Sequence, residues 1–569
     1  MRESNPVNPA AWLHAWREAV DPFGMLDACQ RVQRAWLQSP ERLGQQLTEL
    51  AHDGTTVQVH AMRRYLGDSE QDLVSVNPFD ERFKDPAWET NPFFDQLKEF
   101  YLLGTRWLED AVEATPGVDE ETRAKAAFLT RQLLNAVAPS NQVWSNPAVM
   151  LRAMQTGGMS LAEGMANLVK DMHRGSIRMT DEEAFTVGEN LATTPGKVVF
   201  RNHLLEVIQY AATTEKVHAM PVVLVSPWIN KYYILDLNPR KSLVRWLVER
   251  GYTVFVTSWK NPGPELADTA FDDYLTDGAL QAVEVAREVT GSDQVHLTGY
   301  CIGGTLVACL MAWLNRAGGR RKSPVAHWTL LTTLVDFEMP GEIGVFIDDD
   351  TVEWLERRMA RTGYLDGQDM ANAFRALRSN SLVWYYYVHN YLLGEDLPRF
   401  DVLFWNMDTT RMPERMHAWY LREFYLENRL VQPDAVTLAG RKIDLGRIKQ
   451  PLYAVGAEQD HIAPWKATFR IGEYVSGPVR YILATSGHIL GIINPPVDPP
   501  KRRYWKGEIG DRTDPEAWLA EMPKVSGSWW EDWDAWLDKR CGAMVDPPAL
   551  GSDTHPPLAD APGTYVLER

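Results

Sequence analysis

Residues 295–306, Val-His-Leu-Thr-Gly-Tyr-Cys-Ile-Gly-Gly-Thr-Leu, place a cysteine in the middle of a glycine-flanked turn. The apolar residues before the turn predict a buried strand, and the apolar run after it predicts a helix. Gly299 and Gly303 stand two residues before and two residues after Cys301. A strained backbone at a nucleophile and a close approach of strand and helix favour residues without a Cβ at such positions. The stretch therefore predicts a sharp strand–nucleophile–helix turn.

A turn of this kind is the nucleophile elbow of the α/β-hydrolase fold. A cysteine thiolate is a strong nucleophile, and exchange between a thiol and a thioester is nearly balanced in energy. Cys301 therefore indicates acyl transfer from a thioester. The alternative is a buried structural cysteine on the glycine-rich turn of an ordinary α/β sheet, because a short motif alone gives false matches.

The composition is that of an ordinary globular protein, with 45% hydrophobic and 24% charged residues among 569. At about 150 residues per domain, this length predicts two to four domains. The net charge of −18 gives the chain no overall basic surface for nucleic acid. The first residues lack the apolar segment of a signal peptide, and no run of about 18 apolar residues predicts a transmembrane span. The four cysteines have neither metal-binding nor disulfide spacing, so we expect a cytoplasmic protein with reduced thiols and no metal site.

The pattern of apolar residues changes once along the chain. Helical periodicity dominates residues 1–196, which predicts a mainly helical N-terminal domain. From residue 197 strands alternate with helices, as in the parallel sheet of a doubly wound α/β domain. The alternation stops over about 337–443, an aromatic-rich helical insertion that lies where such folds place a lid. The sequence therefore predicts an α/β-hydrolase domain over 197–569 with a helical lid.

An elbow nucleophile needs a base and a carboxylate that orients the base. In this fold both lie in loops after core strands, in the order acid, then histidine. Asp460 follows the predicted strand 452–456, and His488 follows the predicted strand 480–483. We therefore predict that both form a triad with the elbow cysteine. His461 is the competing histidine, but it adjoins the acid instead of following the last strand.

The same fold predicts an oxyanion hole built from two backbone N–H groups. Ile302, the residue after the nucleophile, should supply one of them. The second should come from the loop after strand 222–225, at Trp228, Ile229 or Asn230, and the sequence does not distinguish these residues. Asp336, at the end of the strand that follows the elbow, is a candidate structural carboxylate near the site.

These motifs resemble those of the polyhydroxyalkanoate synthases, within the α/β-hydrolase superfamily. The resemblance extends over nearly all of the chain after about residue 75. The matching stretches are 91–92, 101–103, 139–141, 146–147, 190–197, 227–236, 299–304, 404–422, 460–465 and 486–496. Residues 335–344 and the N-terminal domain on the same chain favour the single-subunit class I type. Ala463, where many relatives have valine, is one small departure.

The resemblance implies polymerisation of (R)-3-hydroxyacyl-CoA of short chain, such as 3-hydroxybutyryl-CoA, with release of CoA and without a cofactor. Cys301 would hold the acyl group and the growing polyester chain, and His488 would deprotonate Cys301. Asp460 would orient His488 or help to activate the 3-hydroxyl of the incoming monomer. A homodimer formed through the lid region and a location on cytoplasmic polyhydroxyalkanoate granules are also implied.

Two other functions compete with polymerisation. A thioesterase or esterase of the same fold would use the same triad but pass the acyl group to water. A non-catalytic granule-binding or scaffold protein would release no CoA, although the complete set of cysteine, histidine and aspartate argues against it. A polymerase differs from a thioesterase or esterase in forming polymer rather than free hydroxy acid. It differs from a non-catalytic protein in releasing CoA.

Overall fold

The computed structural model describes residues 21–66, 74, 80–316 and 322–569. The chain divides into two compact units, of which the first comprises Met1–Asp181 and Asn372–Arg399. The second comprises Glu182–Ala371 and Phe400–Arg569. The domain boundary predicted at 196/197 and the lid limits at about 337 and 443 stay predictions, and residues 1–20 of the predicted helical domain lie outside the described residues.

The first unit is helical, and short polar residues start several of its helices. Among the residues that the structure describes before residue 181, its α-helices are Met25–Leu37, Pro40–Tyr65, Ala87–Thr90, Pro92–Glu113, Glu120–Ala136, Pro147–Gln155 and Met159–Arg174. The Asn91 side chain accepts a hydrogen bond from Phe93 N, and Asn146 accepts from the first two free N–H groups of its own helix. A proline follows each asparagine at the first helical position, where its missing N–H costs nothing. Two Asn-Pro pairs thus act as helix starts.

Part of the predicted lid belongs to this first unit. Residues 372–399 include the π-helical turns Asn380–Trp384 and Tyr387–Leu392. The side chain of Asn135 donates to Ser379 Oγ at 3.1 Å, and Asn167 donates to the carbonyl of Asn390 at 3.3 Å. These contacts join sections of chain that are more than two hundred residues apart, so local sequence patterns do not predict them.

An eleven-stranded sheet forms the centre of the second unit. In chain order its strands are β1 (Gly196–Arg201), β2 (Leu205–Tyr210), β3 (Val222–Val225), β4 (Val254–Trp259), β5 (Val295–Tyr300), β6 (Val325–Leu331), β7 (Leu452–Ala457), β8 (Val479–Ala484), β9 (Arg503–Glu508), β10 (Lys524–Ser526) and β11 (Ala559–Asp560). Their order across the sheet is β10-β9-β8-β7-β6-β5-β3-β4-β2-β1-β11.

The six central strands, β3 to β8, pair in parallel. Every residue of β3, β4, β5 and β7 is buried, as expected for parallel strands covered on both faces. The predicted parallel α/β sheet and the α/β-hydrolase fold class are therefore confirmed. The antiparallel strands β9, β10 and β11 were not predicted, because their residues do not form a continuous apolar run.

Helices cover the sheet and form the insertion between β6 and β7. The described α-helices of four or more residues outside the first unit are Leu243–Val248, Gln281–Thr290, Ile302–Arg316, Asp349–Thr362, Asp401–Met407, Glu414–Tyr420, Trp465–Phe469, Ile471–Tyr474, Pro515–Glu521 and Trp529–Asp538, and the residues of Gly367–Leu377 are divided between the two units. Ile302–Arg316 is buried from Ile302 to Ala312, as its uniformly apolar sequence predicts. Across the described ranges, no helix combines the length and the apolar character that a membrane span requires.

Candidate active site

Cys301 occupies the sharp turn between β5 and the buried helix Ile302–Arg316. Its φ of 54° lies in the left-handed region, which is costly for a residue with a Cβ. Its backbone N–H donates to the carbonyl of Leu331 at 2.9 Å, and its own carbonyl accepts from Gly304 N at 2.9 Å. The thiol is half-buried. The strained backbone, fixed on both sides, is the geometry predicted for a nucleophile elbow.

The glycines around Cys301 are required by close backbone contacts. A Cβ on Gly299 would lie 2.5 Å from Gly304 Cα, and a Cβ on Gly303 would lie 2.6 Å from the carbonyl oxygen of Val225. A Cβ on Gly304 would lie 1.9 Å from Thr333 Oγ1. Real Cβ atoms do not approach other atoms so closely, so strand and helix can pack this tightly only with glycine.

The structure brings Asp460 and His488 together beyond the ends of β7 and β8. His488 Nδ1 donates to Asp460 Oδ2 at 2.7 Å, and both side chains are buried. The other carboxylate oxygen, Oδ1, accepts from the backbone N–H of Ile462 at 2.8 Å and of Ala463 at 2.9 Å. These bonds fix the carboxylate, which in turn fixes the imidazole ring. Of the two histidines, it is therefore His488 that contacts the acid.

His488 also interacts with Cys301. Burial alone would lower the pKa of His488, but the charges of Asp460 and Cys301, with hydrogen bonds to both side chains, outweigh it and raise the pKa to about 10. A histidine in this setting accepts the thiol proton readily and stabilises the resulting thiolate as its neighbour. The structure thus assembles the three side chains predicted from the sequence.

The candidate oxyanion hole lies where the elbow meets the loop after β3. Ile302 is the first residue of its helix, so its N–H has no acceptor within that helix. Ser226 N donates to Thr257 Oγ1 at 3.0 Å, and residue 227 is a proline without an N–H. Trp228, Ile229 and Asn230 each carry a backbone N–H, so all three remain candidates for the second oxyanion donor.

Comparison with known proteins identifies the family. A family model described as poly-beta-hydroxybutyrate polymerase (PhaC) N-terminus matches residues 79–247, and one described as alpha/beta hydrolase fold matches residues 221–495. The chain is 43% identical to the poly(3-hydroxyalkanoate) polymerase of Methylorubrum extorquens over 94% of this chain and 88% of that protein. It is 42% identical to the poly(3-hydroxyalkanoate) polymerase subunit PhaC of Cupriavidus necator over 99% of this chain and 95% of that one.

The chain belongs to the poly(3-hydroxyalkanoate) polymerase family. A further relative, the subunit PhaC of Rhizobium meliloti, is 40% identical over 98% of this chain and 92% of its own length. Membership makes the chain an acyltransferase of polyhydroxyalkanoate formation, and the resemblance seen in the sequence is confirmed. The alpha/beta hydrolase match includes the elbow, Asp460 and His488.

Aromatic residues of the insertion approach the elbow in this family member. Phe337 packs against Tyr420, Phe424 and Tyr425, with ring centroids 4.7 to 6.0 Å away. Burial raises the pKa of Tyr425, and the negative charge of a Cys301 thiolate raises it further. The same two causes, with Tyr425 as a neighbour, hold the pKa of Tyr420 well above its ordinary value. Two tyrosines of this aromatic cluster therefore lie within electrostatic range of the thiol.

Asp336 links the insertion to the sheet next to the polymerase elbow. The carboxylate is buried and accepts from Asn428 Nδ2 at 2.8 Å and from Arg470 Nη1 at 2.8 Å. Tyr474 also donates its hydroxyl to it. Asn428 in turn accepts from the backbone N–H of Phe337 at 2.9 Å. The sequence indicated only a structural carboxylate here, since its partners lie far along the chain.

Metal-binding groups do not stand out in the part of the chain that the structure describes. No cluster of three or more histidine, cysteine, aspartate or glutamate side chains is arranged there to hold a metal ion. All four cysteines are free thiols, with Cys309 and Cys541 buried.

Proposed function

We propose that the chain polymerises (R)-3-hydroxyacyl-CoA, of short chain such as 3-hydroxybutyryl-CoA, through an acyl thioester on Cys301. The observation that supports this most is the buried contact of His488 with Asp460 at 2.7 Å, together with the interaction of His488 with the elbow cysteine. The polyhydroxyalkanoate product follows from the family, and the chain length of the monomer and the thioester route are our proposals.

The first half-reaction loads the enzyme. His488 takes the thiol proton of Cys301, and the thiolate attacks the carbonyl carbon of the CoA thioester. The N–H groups of Ile302 and Ile229 stabilise the negative oxygen of the tetrahedral intermediate. The bond between carbon and the CoA sulfur then breaks, and CoA leaves with the proton from His488. Asp460 keeps the histidine ring in place and stabilises its charged form.

The second half-reaction extends the chain. The 3-hydroxyl of an incoming monomer gives its proton to His488 and attacks the thioester on Cys301, which forms an ester and releases the cysteine thiolate. The lengthened chain, still a CoA thioester, then reloads Cys301 and releases CoA as before. Both oxygens of Asp460 are already engaged, one by His488 and one by two backbone N–H groups. This favours an orienting role for Asp460 over direct activation of the monomer hydroxyl.

The surroundings of Cys301 support transfer to a hydroxyl rather than to water. Tyr420 and Tyr425, which pack against Phe337, lie within electrostatic range of the thiol. An apolar, water-poor site lowers the rate at which water hydrolyses a thioester and accommodates a hydrophobic polyester chain. Within the same proposal, the protein acts as a homodimer joined through the lid region and resides on polyhydroxyalkanoate granules in the cytoplasm.

A single incubation tests this function. Purified protein is given (R)-3-hydroxybutyryl-CoA, and free CoA, polymer and free 3-hydroxybutyrate are all quantified. We expect CoA release matched by polymer, and neither product from Cys301→Ala. Cys309→Ala is the matched control, because that thiol is buried in the following helix. Free hydroxy acid without polymer would identify a thioesterase instead, and absence of CoA release would rule out both enzymes.

A further inference from the structure

The loop that carries the candidate second oxyanion donor is bonded to the lid insertion. Thr410 is buried, and its hydroxyl lies 2.7 Å from the carbonyl oxygen of Trp228 and 2.6 Å from that of Ile229. Its single proton is shared between these two acceptors. Trp405 Nε1 donates to the carbonyl of Lys231 at 2.7 Å. Two side chains of the insertion thus hold three carbonyls of the loop, those of Trp228, Ile229 and Lys231.

A buried ion pair reinforces the same attachment. Lys231 Nζ lies 2.8 Å from Asp408 Oδ1, and Tyr233 OH donates to Asp408 Oδ2 at 3.0 Å. Lys231 is buried, and a buried ammonium group is tolerated only when it is paired and hydrogen-bonded. The ion pair therefore keeps residues 405–410 against the loop that begins at Ser226.

These carbonyl contacts control where the loop's N–H groups point. A peptide unit is planar and trans, so its C=O and N–H point in opposite directions. A hydrogen bond to the carbonyl of Trp228 fixes the plane that follows this residue, and the bond to Ile229 fixes the next plane. The first of these planes carries the N–H of Ile229 and the second carries its carbonyl, so both peptide planes that flank Ile229 are held in place.

We propose that Thr410 is a positioning residue, which orients the Ile229 N–H for the oxyanion and couples the oxyanion hole to the lid insertion. The inference rests on the proposed function, since it presupposes an acyl intermediate on Cys301. It follows that residues 405–410 must contact the loop that begins at Ser226 before the transition state is fully stabilised. Displacement of the insertion would then slow chemistry without changing the thiol.

The test compares Thr410→Val, Thr410→Ser and Thr409→Val in the full chain. Valine keeps the shape of threonine and removes the hydroxyl, whereas serine keeps the hydroxyl. Among the described contacts the Thr409 hydroxyl bonds no atom of the loop, so Thr409→Val controls for the substitution itself. We expect Thr410→Val to lower kcat on the order of 10- to 100-fold with little change in KM, because an oxyanion donor acts in the transition state. Thr410→Ser should restore most of the loss.

The rate at which iodoacetamide alkylates Cys301 distinguishes a positioning role of Thr410 from a merely structural one. The reaction develops no oxyanion, so its rate should be the same in Thr410→Val and in the parent. A parallel fall in alkylation and turnover, or normal turnover of Thr410→Val, would overturn the positioning role. The proposed function fails separately, if Cys301→Ala still releases CoA.

Discussion

Tyr300 donates its hydroxyl to the backbone carbonyl of His488 at 3.2 Å, and the two rings lie with their centroids 5.7 Å apart. Tyr300 is the residue immediately before Cys301 and is buried at the end of β5. The nucleophile and its base are therefore tied together through the backbone of the base, in addition to their direct interaction. The contact joins residues 188 positions apart in the chain.

Replacing Tyr300 by phenylalanine should loosen His488 without altering the triad's chemistry. A lost neutral hydrogen bond is worth about 1 kcal/mol, so we expect roughly a fivefold decrease in the rate of CoA release. Initial rates with a hydroxyacyl-CoA check this. Tyr453→Phe is the control, because its hydroxyl contacts Asp532 rather than the triad. Equal losses in both variants would show that the effect is one of general stability.

His488→Gln should abolish CoA release, whereas His461→Gln should have a much smaller effect. His488 is the histidine that contacts Asp460 and Cys301, and without a base the thiol is mostly protonated at neutral pH. Steady-state rates and melting temperatures of both variants provide the measurement. A greater loss of activity in His461→Gln, with its fold intact, would mean that the base has been assigned to the wrong histidine.

The raised pKa of His488 predicts a specific pH dependence of stability. Its pKa of about 10 in the folded protein exceeds the ordinary value of 6.5, so folding favours the protonated ring. This contribution to the free energy of unfolding is fully present below about pH 6.5 and is lost as the pH rises towards 10. Urea unfolding of the parent and of His488→Gln should therefore differ most at and below about pH 6.5, and the difference should shrink as the pH rises towards 10. A stability difference that grows from neutral to alkaline pH would contradict the assignment.

The aromatic insertion predicts gated access to the thiol. Cys301 is half-buried and Tyr420 and Tyr425 lie in its electrostatic environment, yet the CoA thioester must reach it. We expect a lag before steady polymerisation that a short acylated oligomer shortens, since gating segments commonly control such sites. Thiol labelling, mapped by peptide to exclude the other three cysteines, should be slow at Cys301 and faster in the presence of an oligomer that lacks a thioester and so leaves the cysteine free. Equal labelling rates with no lag would exclude a gate.

The elbow and the triad could be predicted because each part has a local pattern. Gly299 and Gly303 are needed by the turn itself, and Asp460 and His488 directly follow strands whose apolar runs are evident in the sequence. The order acid, then histidine, follows from the topology of the fold. No long-range information was required for these residues.

Other features depend on contacts that sequence patterns do not contain. Strand β9 contains one buried residue among exposed and half-buried ones, so it lacks the apolar run that identifies a central strand. The assignment of residues 372–399 to the first unit follows from packing between distant segments. Thr410 contacts carbonyls about 180 residues away, and a threonine within an aromatic insertion has no feature that marks it.

The proposed acyl thioester on Cys301 can be detected directly. The most direct measurement mixes enzyme with a substoichiometric amount of (R)-3-hydroxybutyryl-CoA, quenches with acid, and locates the acyl group by peptide mass spectrometry while free CoA is counted. We expect one hydroxybutyryl group on the peptide containing Cys301 for each CoA released, and neither product in Cys301→Ala. CoA release with an unmodified Cys301, or undiminished release by Cys301→Ala, would contradict it.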